Sequence, residues 1–279
     1  MCAITLSLQL VFVKVLLEKF PSDELMFLRS VFMFVIVLRI SWEKSSQYHL
    51  QDLFLYFLYG ILNFGGIYIS YLALNYTSIG NVQAIAINLT IPTAIFANFL
   101  LGEPASLRKL LLFFINFIGI ILIANPSVIF SKDTTTIYDF YGCCLAFIAL
   151  TSLTLSRIVA RQTSLIGSMD ATLMTVMTGI VGVPGCLLIL MFSSSWSLPY
   201  CIVDWIFITL YVVLSLLANQ SAMNGVKTES ASNISALTSL SVPLTYTVGF
   251  FYFGENLKFI GLFGATLVLG STFASVLDT

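Results

Sequence analysis

Leu89-Thr90-Ile91-Pro92 followed by Gly102-Glu103, and Leu240-Ser241-Val242-Pro243 followed by Gly254-Glu255, are one passage written twice. Each time an apolar run ends in the proline motif, turns at the Gly-Glu pair and enters a further apolar run. The first copy lies in the stretch from Asn75 to Ala124, the second between Asn224 and Leu277. The prolines are 151 residues apart and the glutamates 152. Internal duplication of a chain made of apolar runs is the sequence sign of a carrier built from two pseudo-symmetric halves.

Composition sets the class. Of 279 residues, 58% are hydrophobic and 9% charged, and the mean hydropathy is +0.99. Soluble domains are about 45–50% apolar and about 25% charged, so this is expected to be an integral membrane protein. A net charge of -1 with no basic patch speaks against nucleic acid as a partner. The N-terminus lacks a cationic region and a small-residue cleavage site, so the first run is read as a span rather than a cleaved signal. Cys2, Cys143, Cys144, Cys186 and Cys201 form no Cys-x-x-Cys pair. His49 is the only histidine and sits in a polar loop. No metal site and no cofactor are expected.

Ten spans are predicted, each near the length of about 20 residues that a bilayer core requires. They are Cys2–Leu17, Met26–Trp42, Leu53–Leu74, Val82–Leu101, Leu110–Ala124, Tyr141–Ala160, Ala171–Phe192, Val203–Ala222, Ala231–Phe253 and Phe259–Leu277. The first and fifth are short. The expected organisation is a first five-helix repeat over 1–126, a linker over 127–138 and a second five-helix repeat over 139–279. With a cytoplasmic N-terminus, the inner loops carry Arg39, Lys44, Arg108, Lys109, Arg161 and Lys227 with Arg157 nearby, and the outer loops carry Lys19, Lys132 and Lys258. Seven against three favours both termini in the cytoplasm. An odd number of spans per half inverts the second copy, so the predicted fold class is an all-α membrane protein of two inverted five-helix repeats. Gly261-x-x-x-Ala265 and Gly270-x-x-x-Ala274 on the last span, and Gly179, Gly182 and Gly185 on the seventh, are expected to allow close helix packing.

The order of short motifs resembles the EamA-like drug/metabolite transporter superfamily. Those motifs are Val11-Phe12-Val13-Lys14, Phe20-Pro21 through Arg29, Tyr71 through Asn81, Pro92, and Gly102-Glu103 through Arg108, with Asn233 to Pro243 and Gly254-Glu255 in the second half. Trp196-Ser197-Leu198-Pro199-Tyr200-Cys201 is similar to the corresponding connection in G-type members of solute carrier family 35. The resemblance implies ten helices, alternating access and no ATP-hydrolysing domain. The chain starts at its first span, without the longer polar tail of G-type relatives, so nothing tail-borne is carried over.

Polar groups inside the spans are the candidate site, because an ionisable group at a helix centre in hydrocarbon costs roughly 2.5–3.5 kcal/mol on insertion scales. Lys14 and Arg157 lie on counterpart spans of the two repeats and would flank a central cavity for an anionic solute. Snorkelling to the headgroups is the plainer reading of both. Asn81, Asn88 and Pro92 share one helix face, and Ser232, Ser239 and Pro243 repeat the spacing. The asparagines and serines would bind substrate, and Pro92 and Pro243 would be bending points. Interhelical hydrogen bonding is the competing role. Gln9, Asn63, Asn219, Gln220, Tyr68, Tyr71 and Tyr246 are weaker candidates. Arg29 reads as an interfacial anchor or a partner of Asp23 or Glu24. Glu103 and Glu255 are expected to cap helices rather than carry protons.

The function expected is secondary transport of small organic solutes, with a weak preference for organic anions. The cavity would be lined by spans one, three, four, six, eight and nine. A membrane enzyme is disfavoured by the lack of clustered His, Cys or acidic residues. A non-transporting multi-pass adaptor is the alternative. The partners expected are a small organic solute and the lipid bilayer, with homodimerisation left open.

Overall fold

The structure is a computed structural model. It describes residues 2–41, 50–86, 92–93, 96, 98–99, 107–123, 134–166, 170–192, 199, 201–228, 241–254 and 259–277. Among these residues ten α-helices have described bounds, further helical residues lie at 92–93, 96 and 98–99, and there is no strand. The ten are α1 (Cys2–Leu17), α2 (Ser22–Ser41), α3 (Leu50–Leu74), α4 (Ile79–Ala86), α5 (Leu107–Ile123), α6 (Thr134–Ile166), α7 (Ala171–Phe192), α8 (Ile202–Thr228), α9 (Ser241–Phe253) and α10 (Phe259–Leu277). Stretches within α3, α6, α7 and α8 are long and apolar enough to cross a bilayer, and Thr5–Leu17 and Phe259–Ser271 are shorter apolar helices.

Helix boundaries differ from the sequence expectation where polar end groups find partners. α6 begins at Thr134, so residues 134–138 of the expected linker are helical. Its first turns dock on the corner between α3 and α4. Tyr138 stacks on Tyr76, with ring centroids 6.3 Å apart, and Tyr141 meets Tyr76 edge-on at 5.0 Å. Thr77 Oγ1 donates to Asp139. Asp170 caps α7, accepting from the backbone N–H groups of Thr172 at 2.8 Å and Leu173 at 3.4 Å. α9 ends at Phe253, and Gly254 follows with φ of 60°. That is the left-handed conformation a glycine adopts after a helix C-terminus.

Eight helices close a ring. α3 packs on α7, α7 on α2, α2 on α8, α8 on α1, α1 on α9, α9 on α4, α4 on α6, and α6 back on α3. α5 and α10 pack on each other and meet the ring through α4. Exchanging each helix for the one five places away in the chain maps this ring onto itself and the α5–α10 pair onto itself. Nearly all of these contacts join the first five helices to the last five.

Small residues set the closest approaches, though not all at the expected places. A Cβ on Gly60 of α3 would stand 2.7 Å from the Met177 carbonyl of α7, and one on Gly179 would stand 3.1 Å from the Phe34 backbone of α2. The stripe on the last span behaves differently. Among the described residues Gly261 and Gly270 have nothing within 4 Å of a built Cβ, whereas a Cβ on Gly119 of α5 would stand 2.9 Å from the Gly264 carbonyl of α10. The small-xxx-small spacing was right for packing in principle, but the contact face of α10 runs through Gly264, Val268 and Ser271. Ser271 accepts from buried Asn116 Nδ2 there at 3.0 Å.

The outside is apolar. On α8, Ile206, Leu210, Val213 and Leu217 form an exposed stripe, while Ile208, Tyr211, Ser215, Ala218 and Ala222 are buried opposite. Phe251, Phe259, Met191 and Ile202 are each more than three-quarters exposed. Water would not support that surface, but hydrocarbon does. The chain is an integral, multi-pass membrane protein, and Gln9, Arg29, Asn63, Gln83 and Asn116 are among the polar side chains buried inside it.

Candidate functional site

Two polar layers cross the ring interior. The first joins α1, α3 and α8. Gln9 Nε2 donates to the Tyr71 hydroxyl at 3.2 Å, and the Tyr71 and Tyr211 hydroxyls are 2.7 Å apart in a hydrogen bond. All three side chains are buried, and buried hydroxyls and amides need such partners. Phe12 of α1 packs against Phe207 of α8 on the same interface, with ring centroids 5.7 Å apart.

The second layer joins α2, α3, α7 and α8. Arg29 Nε donates to Ser215 Oγ at 2.7 Å. Tyr59 Oη donates to Asn219 Oδ1 at 3.4 Å, and Asn219 Nδ2 to Thr175 Oγ1 at 3.4 Å. Asn63 Nδ2 donates to Thr178 Oγ1 at 3.3 Å. Ser215 and Asn219 are four residues apart on one face of α8, so Arg29 and Tyr59 meet α8 one turn apart.

Arg157 enters this layer from α6. Ser152 Oγ donates to the Leu62 carbonyl at 2.7 Å, and a Cβ on Gly66 would touch Leu153. This antiparallel register carries residues 157–160 to the level of Tyr59, which packs in one cluster with Val159 and Ala160. Arg157 Nη1 is sealed from solvent and makes no hydrogen bond among the described residues.

Other expected site residues fall elsewhere. Lys14 is half-buried, and its Nζ donates to the Leu74 carbonyl at 2.9 Å. Leu74 ends α3, so the lysine meets the negative end of that helix. Asn81 Nδ2 donates to Thr77 Oγ1 at 3.2 Å and its backbone N–H to Ser78 Oγ at 3.2 Å, which places it in the first turn of α4 beside Asp139. Pro92 is helical and buried. Pro243 lies inside α9. Asn88, Ser232, Ser239, Glu103 and Glu255 lie outside the described residues.

Arg29 is the residue the sequence reading misplaced. It is 3% exposed and shares a face of α2 with buried Met26 and Met33. Its partner is Ser215 across the ring rather than the membrane surface. Helical spacing alone puts Arg29 between those methionines, but a span that is apolar all round gives no contrast to show which face turns inward. Gln83 was likewise passed over. Its Nε2 donates to Ser241 Oγ at 2.6 Å, while Ser7 Oγ donates to the Ser241 carbonyl at 3.2 Å, tying α4, α9 and α1 together.

At one end of the ring, Lys19 Nζ stands 2.8 Å from Asp204 Oδ1, joining the end of α1 to the start of α8. The hydrogen bond to Asp204, and then its charge, raise the Lys19 ammonium above the ordinary lysine value. A raised basic pKa means that the pair contributes fully below the ordinary lysine range, and that its contribution fades as pH rises through the raised value. In Asp204→Asn, Lys19 is expected to become reactive towards an amine reagent at lower pH than in the parent. Identical labelling profiles would show that the pair is not formed in the bilayer.

The EamA-like transporter family model matches residues 1–125 and 140–277. Solute carrier family 35 member G1 of Mus musculus is 28% identical over 225 residues, covering 80% of this chain and 61% of that protein. Its Homo sapiens counterpart is 24% identical over 230 residues, covering 79% and 61%. The chain thus spans about three-fifths of the length of these curated relatives. A crystal structure at 11% identity matches 99% of this chain and 98% of its own, with a TM-score of 0.65, which speaks to the fold alone. The arrangement of an apolar exterior around a polar helical interior therefore has its place among known proteins: the chain belongs to the EamA-like transporter family.

Proposed function

We propose that the protein is a secondary transporter of small organic solutes, working by alternating access between two inverted five-helix repeats, with a weak preference for anions. The observation that carries this reading is the polar interior of an otherwise apolar ring, formed where the two halves meet. A midplane site at a repeat interface is where such carriers bind. The exchange of helices that maps the ring onto itself supports the inverted repeat, and the family match over 1–125 and 140–277 supports one repeat on either side of a linker.

The proposed solute contacts are Lys14, Asn81, Asn88, Arg157, Ser232 and Ser239, with Pro92 and Pro243 as bending points and Glu103 and Glu255 as helix caps. In the state described, Lys14 is engaged by the Leu74 carbonyl and Asn81 by Thr77. Among the described members of that set, Arg157 has a buried donor, Nη1, without a hydrogen bond to a described residue. An anionic group on the solute suits such a donor.

Counterflow in proteoliposomes tests this reading. Saturable exchange of labelled organic solutes, with anions preferred, is the expected result. A folded protein that binds and exchanges no solute would turn the assignment to a multi-pass adaptor. The proposed topology, with both termini in the cytoplasm, has its own check. Cysteines placed at Lys44, outside the described residues, and at Lys227, near the end of α8, should be labelled from the same side. Labelling from opposite sides would rule out the ten-span arrangement.

A further inference from the structure

We infer that Arg29 and Arg157 form a two-guanidinium clamp, backed by Tyr59, Ser215 and Asn219, for a solute carrying two negative charges on oxyanion groups. This rests on the carrier reading above and assigns the charge class of its substrate. Three observations support it. Arg29 and Tyr59 contact α8 one turn apart, through Ser215 at 2.7 Å and Asn219 at 3.4 Å. The α3–α6 register brings Arg157 to Tyr59 from another side. Both guanidinium groups lie within electrostatic reach of the Tyr59 hydroxyl.

Charge makes the arrangement informative. Arginine stays charged in any protein setting. Two such charges inside a membrane bundle repel each other and are poorly solvated, which is tolerated when something neutralises them. Among the described residues the ion pair is Lys19–Asp204 at the ring's end; Asp23 of α2 accepts from Tyr68 and Glu24 is buried, six and five residues before Arg29 on the same helix, and neither is joined to Arg29 or Arg157 by a described hydrogen bond. Arg157 Nη1 is a buried donor with no acceptor among the described residues. Arg29 holds Ser215 with Nε, and its Nη1 is 3.8 Å from Met26 Sδ. A thioether is a weak acceptor, so the outer edge of that guanidinium remains for a stronger one. Guanidinium forks match carboxylate and phosphate geometry. Hydroxyl and amide groups of Tyr59, Ser215 and Asn219 would orient the remaining polar atoms of the solute.

The test compares three probes on the purified full chain: succinate, its monomethyl ester, and phenyl phosphate. The ester keeps the shape of succinate and removes one charge. Thermal stabilisation in detergent reports binding, and counterflow in proteoliposomes reports transport. Succinate or phenyl phosphate is expected to bind, with the ester roughly tenfold to hundredfold weaker, as one charge-assisted hydrogen bond would give. Arg29→Gln and Arg157→Gln should each erase the difference between a dianion and its mono-charged analogue. Arg157→Lys should restore part of it. Equal binding of succinate and ester by the parent, or no binding of either dianion, would overturn the clamp, and this comparison needs no variant to fold. Arginine-dependent binding without exchange would support the clamp and refute the carrier reading. Exchange of the ester or of neutral solutes with no response to dianions would do the reverse.

Discussion

Gly60→Leu is expected to cost about 3 kcal/mol, the upper end of ordinary overpacking, and to leave little folded protein in detergent. A Cβ at this position would stand 2.7 Å from the Met177 carbonyl oxygen and 2.9 Å from its carbon. The obstacle is backbone of a neighbouring helix, so no rotamer change relieves it. α3 and α7 would have to separate, and with them the Asn63–Thr178 hydrogen bond. Gly261→Leu is the control, since no described residue lies within 4 Å of a Cβ there. It should melt like the parent. Thermal unfolding followed by the monodisperse fraction gives the comparison, and a parent-like melt for Gly60→Leu would show that the two helices sit farther apart in the bilayer.

The second large effect has opposite signs for stability and function. Arg157→Met is expected to raise stability by about 1–3 kcal/mol, because it removes from a partly buried side chain a sealed donor that has no acceptor among the described residues. The same change should abolish exchange of anionic solutes. Methionine fills irregular space without needing a donor or acceptor. A variant that melts lower than the parent would mean that Arg157 has a structural partner, and a variant that melts higher and still exchanges anions would place binding elsewhere. Raised stability with lost exchange is the signature of a residue kept for function at the expense of the fold.

How much of this was legible in the sequence depends on what kind of contrast each feature leaves. The apolar runs are unmistakable, and each overlaps a described helix, the fourth and ninth over only part of their length. Their ends were less readable. The extension of α6 to Thr134 rests on Tyr76, Tyr138, Tyr141 and Asp139 meeting across the α3–α4 corner, a tertiary event. Which face of a span turns inward was also hidden. In a soluble helix, polar residues mark the outside; here Ile206 and Leu210 point out, and Ile208 and Tyr211 point in. That is why Arg29 read as an anchor and why Gly261 and Gly270 read as a contact stripe. The pairing of Lys14 with a backbone carbonyl left no trace, because any residue could supply that carbonyl. The polar positions themselves were visible, since Gln9, Asn63, Tyr71 and Asn219 are conspicuous in apolar surroundings, but their partners lie between 44 and 160 residues away.

The ring has a consequence for how the protein is made. α1 waits for α8, α2 for α7, and α5 for α10. When the ribosome has finished the first five helices, few of them have met the neighbours they keep. Arg29 then has no Ser215, and Gln83 has no Ser241. Those polar groups must sit in lipid, or against an insertion factor, until the second half arrives. Truncation after α5 should therefore yield a product that quality control destroys, whereas the two halves, synthesised as separate chains in one membrane, should find each other.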